Sequence, residues 1–138
     1  MKPTRIIIHH SLTKDGSTVS WDAIRWYHTR TNGWRDIGYH AGIELIGGHY
    51  EVLIGRMFDE EGAHATGHNS DSLGICLVGN FDTAPPPPAQ LDLAIRFTRS
   101  LCRVLEIPAT RVYRHSDFSA KTCPGALFPW GEFIRRLQ

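Results

Sequence analysis

The sequence has no long apolar run. Ile6-Ile7-Ile8, the cleanest run near its start, falls far short of the roughly 20 residues that cross a bilayer and of the core of a secretory signal. The expectation is a chain without a signal peptide, cytoplasmic on synthesis, that leaves the cell by another route if it acts outside. Charge of one sign is also lacking. Fifteen Lys and Arg against fourteen Asp and Glu leave a net +1, which removes the simplest argument for a nucleic-acid partner. Cysteine is scarce and odd in number: Cys76, Cys102 and Cys123 cannot all pair internally. A chain of 138 residues buries roughly two thirds of its unfolded surface and needs no disulfide framework. Cys76 and Cys102 lie in apolar segments and read as small core residues. Cys123 lies in a loop-like Lys121-Thr122-Cys123-Pro124-Gly125 and needs its own account. Lysine is rare as well: three residues against twelve arginines, one of them Lys121.

Histidine is abundant, with eight residues, and points to metal or acid–base chemistry. With 41% hydrophobic and 21% charged residues the composition is that of an ordinary globular domain. No repeat or internal boundary is visible, so residues 1–138 read as one domain. Arg5 to His10 reads as a buried strand. Asp15-Gly16 is a turn signal. Ser20 looks like an N-cap for a helix carrying Trp21, Ile24, Tyr27 and His28 on one face and ending near Arg30. A strand from Tyr39 to Ile46, the turn Gly47-Gly48 and a strand from His49 to Ile54 form a hairpin. Glu60 to Ser72 reads as loop and Leu73 to Val78 as a central strand. Pro85 to Pro88 is a stiff lead into a helix from Ala89 to Leu105. That helix has an apolar face and an opposite face with Asp92, Arg96, Arg99 and Arg103, read as solvated. A short strand from Arg111 to His115 and a helix from Trp130 to Leu137 complete the chain. The expected fold is α/β: a mixed sheet of about five strands with about three flanking helices.

His115 and Cys123 stand eight positions apart across a polar loop. An imidazole and a thiolate make a good zinc pair, and a catalytic zinc takes three protein ligands with one position open. The third ligand would come from the C-terminal end of a strand, where α/β sheets build their sites. His9 and His10 are there, and alternation lets only one of them face a given site. The bland alternative is a surface histidine with an incidental cysteine.

Four blocks then occur in order. They are Ile7-Ile8-His9-His10-Ser11-Leu12-Thr13, Gly33-Trp34-Arg35-Asp36-Ile37-Gly38-Tyr39-His40, the segment from Gly62 to Phe81 with His64, Gly67-His68-Asn69 and Gly79-Asn80, and Arg114-His115 through Lys121-Thr122-Cys123-Pro124-Gly125. Together they resemble the zinc N-acetylmuramoyl-L-alanine amidases, the family of short phage endolysins and animal peptidoglycan recognition proteins. The resemblance runs from about Ile6 to Trp130. It implies that His9, His115 and Cys123 hold one Zn²⁺ per chain and that His10 does not. It implies catalytic roles for Tyr39, on the open side of the metal, and Lys121. It places Trp34, His64, Asn69 and Thr122 along a peptide-binding groove. The implied partner is bacterial peptidoglycan, recognised as a muramyl peptide, and the implied state is a monomer. With eight residues ahead of His9, little room is expected for an N-terminal segment that binds another protein, and no wall-binding module is expected after Gln138; the lack of an export signal suggests a phage or prophage lysin released by a separate pore.

The implied reaction is hydrolysis of the amide between the lactyl group of N-acetylmuramic acid and L-alanine, with zinc-activated water as nucleophile. Lys121 would stabilise the oxyanion and Tyr39 would orient water or donate to the developing charge. No His-Glu-x-x-His occurs, so the glutamate base of many zinc peptidases has no counterpart. Three rivals remain open at this level. One is a recognition module that binds peptidoglycan without cutting it, although such members lack the thiolate that Cys123 supplies. Another is a cysteine hydrolase with Cys123 as nucleophile and His115 as base. The third is a glycosidase, which needs facing carboxylates; Asp59, Glu60 and Glu61 form the one acidic cluster and read as a solvated turn.

Overall fold

The computed structural model describes residues 1–13 and 20–138; the Asp15-Gly16 turn lies outside the described residues. Five strands form one mixed sheet: β1 (Arg5–His10), β2 (Ala41–Ile46), β3 (His49–Ile54), β4 (Ser72–Leu77) and β5 (Val112–Arg114), in the order β3-β2-β4-β1-β5. β1 pairs in parallel with β4 and β5, β2 is parallel to β4, and β3 returns antiparallel through Gly47-Gly48. β1 and β4 are covered on both faces, which is why they read as unbroken apolar runs and not as alternating ones.

Alternation sorts the core into two layers. Ile6, Ile8, Leu73, Ile75 and Leu77 face helices α2 (Pro88–Val104) and α3 (Trp130–Leu137). On the other face Cys76 and Val78 meet Trp21 and Ile24 of α1 (Trp21–Trp26). α1 comes close because β2 offers Gly42. A Cβ there would stand 2.3 Å from the Trp21 ring. Gly42→Ala is therefore expected to cost about 1–3 kcal/mol through overpacking, read as a lower unfolding midpoint in denaturant.

The structure shifts several boundaries. The first helix is α-helical only to Trp26; over Tyr27–Thr31 it widens into a π-type turn. There the Thr29 hydroxyl donates to the Arg25 carbonyl at 2.9 Å, and the Asn32 N–H reaches back to the Tyr27 carbonyl at 3.1 Å. β2 starts at Ala41, two residues later than the pattern suggested. The polar face of α2 is not wholly solvated. Asp92 accepts from the Arg136 guanidinium of α3, and Arg99 donates to the Arg136 carbonyl at 3.4 Å.

Candidate active site

The parallel strands β1, β4 and β5 end together at one edge of the sheet, and the loops leaving that edge build the site. His9 and His10 close β1. His9 shares the α1-side face with Cys76, its register partner on β4. His10 points to the opposite layer, its ring 5.9 Å from that of Phe81 and its Nδ1 accepting the Phe81 N–H at 3.1 Å. His115 opens a tight turn directly after β5. Asp117 fixes that turn, accepting the Arg114 N–H at 2.9 Å and the Arg114 guanidinium at 2.9 and 3.1 Å. The Ser116 N–H then donates to the Cys123 carbonyl at 2.8 Å, which folds the loop so that Cys123 returns beside His115. Asp82 staples the far side of that loop by accepting from the Thr122 hydroxyl at 2.9 Å and the Ala126 N–H at 2.8 Å.

The result is a compact donor set. One ligand atom from each of His9, His115 and Cys123 lies within 4.8 Å of the others. Cys123 Sγ is 3.7 Å from His9 Nδ1. Donors on a tetrahedral zinc at about 2.0–2.3 Å stand about 3.3–3.6 Å apart; the Cys123–His9 pair already matches this, and the set suits a metal once its widest pair closes by about 1 Å. Burial pushes the His9 imidazole well below its usual range, helped by His64 and His115. Burial also lowers His115, with Lys121 adding to it. Both rings are thus neutral at pH 7, as metal ligation requires. Burial pushes the Cys123 thiol up to about 12, against the opposing pull of the His10 N–H and the Lys121 charge. A thiol so placed is a poor free nucleophile. It becomes a thiolate when a cation takes its proton's place.

A cavity of about 590 Å³ opens above this set. His9, His115 and Cys123 lie in its lining with Tyr39, Lys121, Trp34, His64 and Asn69. The Tyr39 ring is 5.2 Å from that of His9. Burial, and then Cys76 and Cys123, push its phenol well up, so it remains a neutral O–H donor. Lys121 is exposed on the rim. Thr122 is not in the lining; its hydroxyl is engaged with Asp82. The Asn69 side-chain oxygen accepts the N–H groups of His64 and Ala65 at 2.8 and 2.9 Å, so it shapes the loop under the groove. No carboxylate lies in the cavity lining among the described residues.

Two contributors were not legible. His28, on the π-type turn, lines the cavity, accepts the Gly38 N–H at 2.9 Å and packs 4.7 Å from Trp34 and 5.6 Å from Tyr39. Its sequence signals, the histidine excess and a place on the apolar face of the first helix, gave it no role in the site. Arg56 is buried and donates to the Ile37 carbonyl at 2.9 Å and the Glu61 carbonyl at 2.7 Å. It ties the loop that carries Tyr39 to the loop that carries His64, and nothing in its local sequence announces this. His40 is fully buried; its Nδ1 accepts the Gly74 N–H at 3.0 Å and its Nε2 donates to the Glu60 carbonyl at 2.8 Å.

Known proteins resemble this chain in sequence and in fold. The family profile described as N-acetylmuramoyl-L-alanine amidase matches residues 1–126. The endolysin of Klebsiella phage KP32 is 37% identical over 124 residues, covering 88% of this chain and 80% of the endolysin. Peptidoglycan-recognition protein SC2 of Drosophila melanogaster is 34% identical over 132 residues, covering 91% of this chain and 70% of that protein. Among solved structures, the N-acetylmuramoyl-L-alanine amidase LysC from Clostridium intestinale URNW superposes with a TM-score of 0.87 at 32% identity, covering 99% of this chain and 85% of LysC. A match over nearly all of the sheet, with the three-donor cluster at its loop edge, makes this chain a member of the N-acetylmuramoyl-L-alanine amidase family.

Proposed function

We propose that the chain hydrolyses peptidoglycan at the amide between the lactyl group of N-acetylmuramic acid and L-alanine, with one zinc held by His9, His115 and Cys123. The observation that carries this reading is the three-donor cluster at the floor of a cavity that also holds Tyr39 and Lys121. Zinc in such a site supplies Lewis acidity that activates water and polarises an amide carbonyl. The Lys121 ammonium is the cationic group on the rim for negative charge developing on the scissile carbonyl oxygen. Tyr39 offers a neutral phenol to the same region. Trp34, 36% exposed and backed by His28, is the apolar platform on which a sugar or peptide stem would lie. His64 and Asn69 form the neighbouring wall, and Thr122 acts at the groove's margin through the loop it shares with Cys123.

Two rivals lose support. A cysteine hydrolase needs a thiolate, and burial keeps Cys123 protonated. A glycosidase needs facing carboxylates, and the cavity lining has none among the described residues. Cys123 itself favours hydrolysis over recognition alone, since it completes the donor set. Phage endolysins among the relatives support action on the cell wall as a lysin. No helix among the described residues is long and apolar enough to cross a membrane.

Digestion of purified peptidoglycan tests the bond assignment. Free amino groups, identified as N-terminal L-alanine, are expected to rise while reducing ends stay constant. A rise in reducing ends without new amines would replace the amidase reading with a glycosidase, and neither rise, with wall binding intact, would leave a recognition module.

A further inference from the structure

His64 sits behind His9 on the side away from Cys123. His9 Nε2 is 2.9 Å from His64 Nδ1, and the two rings meet edge to face at 5.0 Å. His64 Nε2 lies 3.4 Å from the Ser72 hydroxyl oxygen and 3.5 Å from the Ser72 carbonyl oxygen. The Ser72 hydroxyl donates to the His68 carbonyl at 2.5 Å. The ring has a made-to-measure seat. A Cβ on Gly74 would stand 2.5 Å from it, and so would a Cβ on Gly62.

The direction of every proton in this chain of contacts follows from its far end. A carbonyl oxygen only accepts, so the Ser72 hydroxyl spends its one proton on His68. Both Ser72 oxygens that face His64 Nε2 are then acceptors, and His64 Nε2 carries a hydrogen. In a neutral imidazole the other nitrogen is bare, so His64 Nδ1 accepts. His9 Nε2 must therefore be the donor, which leaves the His9 Nδ1 lone pair free. That nitrogen is the one 3.7 Å from Cys123 Sγ.

We infer that His64 is a positioning residue: with Ser72 behind it, it fixes the tautomer and ring angle of His9 so that Nδ1 faces the metal site before any metal arrives. This rests on the zinc reading above and gives His64 a task besides lining the groove. Partners of this kind, which take the second N–H of a ligating histidine, are worth about 10- to 100-fold in metal affinity.

The experiment uses the full chain and two variants of nearly equal shape. His64→Asn places an oxygen acceptor, Oδ1, where Nδ1 stood. His64→Leu places a methyl there. Zinc affinity is measured by competition with a chromophoric chelator. His64→Leu is expected to bind zinc about 10- to 100-fold more weakly than wild type, with His64→Asn restored most of the way. Equal losses in the two variants would make His64 a space-filler and overturn the inference. Ring-nitrogen NMR of the wild-type chain gives a second readout that needs no variant to fold. A coupling across His9 Nε2–H···Nδ1 His64, and protonated Nε2 on both rings, are expected with and without zinc. A proton on His64 Nδ1 would overturn the relay. A wild-type chain that takes up no zinc would instead sink the metal reading, while the ring spectra would still decide the relay.

Discussion

Cys123→Ser is expected to leave the protein without bound zinc and to reduce peptidoglycan hydrolysis to the level of the enzyme-free control, while the fold survives. Cys123 is one of three donors, and a neutral serine hydroxyl replaces the anionic sulfur that zinc favours. The fold should persist because the loop is held by groups other than the thiol: Ser116 to the Cys123 carbonyl, and Thr122 and Ala126 to Asp82. Wild type should show the converse as a thermal shift. A ligand that binds only the folded chain at 100 times its Kd adds about 2.7 kcal/mol. For a domain of this length that corresponds to about 9 °C in the melting temperature. The shift should vanish in excess chelator and be absent from Cys123→Ser. Because the metal-free thiol is held up at about 12 while both imidazoles are already neutral, binding releases about one proton, and zinc affinity should weaken about tenfold for each unit that pH falls through the neutral range. Metal analysis beside a melting scan checks all of this. Full zinc and full turnover in Cys123→Ser would remove Cys123 from the ligand set.

The sheet could be read from the sequence where burial is extreme. β1 and β4 are covered on both faces, so their short apolar runs, bounded by polar loops, read as strands; β3 and α3 begin and end where turn signals and apolar spacing put them. Boundaries failed where side chains compete with the backbone. The Thr29 hydroxyl takes a carbonyl inside the first helix and helps it widen, and no apolar period reports that. Tyr39 and His40 read as strand because their residue types suit one, yet His40 spends its ring on Gly74 and Glu60 and lies ahead of the ladder.

The site divides in the same way. His115 and Cys123 were visible as a pair because one loop holds both. His9 lies 106 positions before His115, and what joins them is the parallel pairing of β1 with β5, which no local pattern encodes; the strand-end argument narrowed the third donor to His9 or His10, and the family resemblance chose His9. The contacts between His9 and His64, Arg56 and Ile37, and His28 and Gly38 join separate elements. Each depends on how loops stack at the strand ends, so the residues look ordinary until the sheet is assembled. Thr122 shows the converse limit of a local pattern. Its neighbours Lys121 and Cys123 both line the cavity, but its own hydroxyl turns outward to Asp82.

Lys121→Ala and Tyr39→Phe are each expected to slow turnover by about 10²- to 10³-fold, or roughly 2.7–4 kcal/mol, the usual cost of losing one donor to a developing oxyanion. Neither residue belongs to the donor cluster, so both variants should keep full zinc and a normal melting temperature. Tyr39 is well suited to donate because burial, with Cys76 and Cys123 close by, keeps its phenol protonated far above neutral pH; phenylalanine preserves the packing against His9 and Trp21 and removes only the O–H. Lys121 is an exposed rim residue whose charge already reaches His9, His115 and Cys123. Groups that act on charge present only at the transition state lower kcat and leave ground-state binding almost unchanged. The losses should therefore fall on kcat, with wall binding intact. Lys121→Arg separates charge from geometry: the guanidinium keeps the charge but spreads its donors over a planar fork. Partial recovery would make the role mainly electrostatic, and none would make the position of the ammonium decisive. Wild-type rates in both Lys121→Ala and Tyr39→Phe would reduce the machinery to the metal and its three ligands.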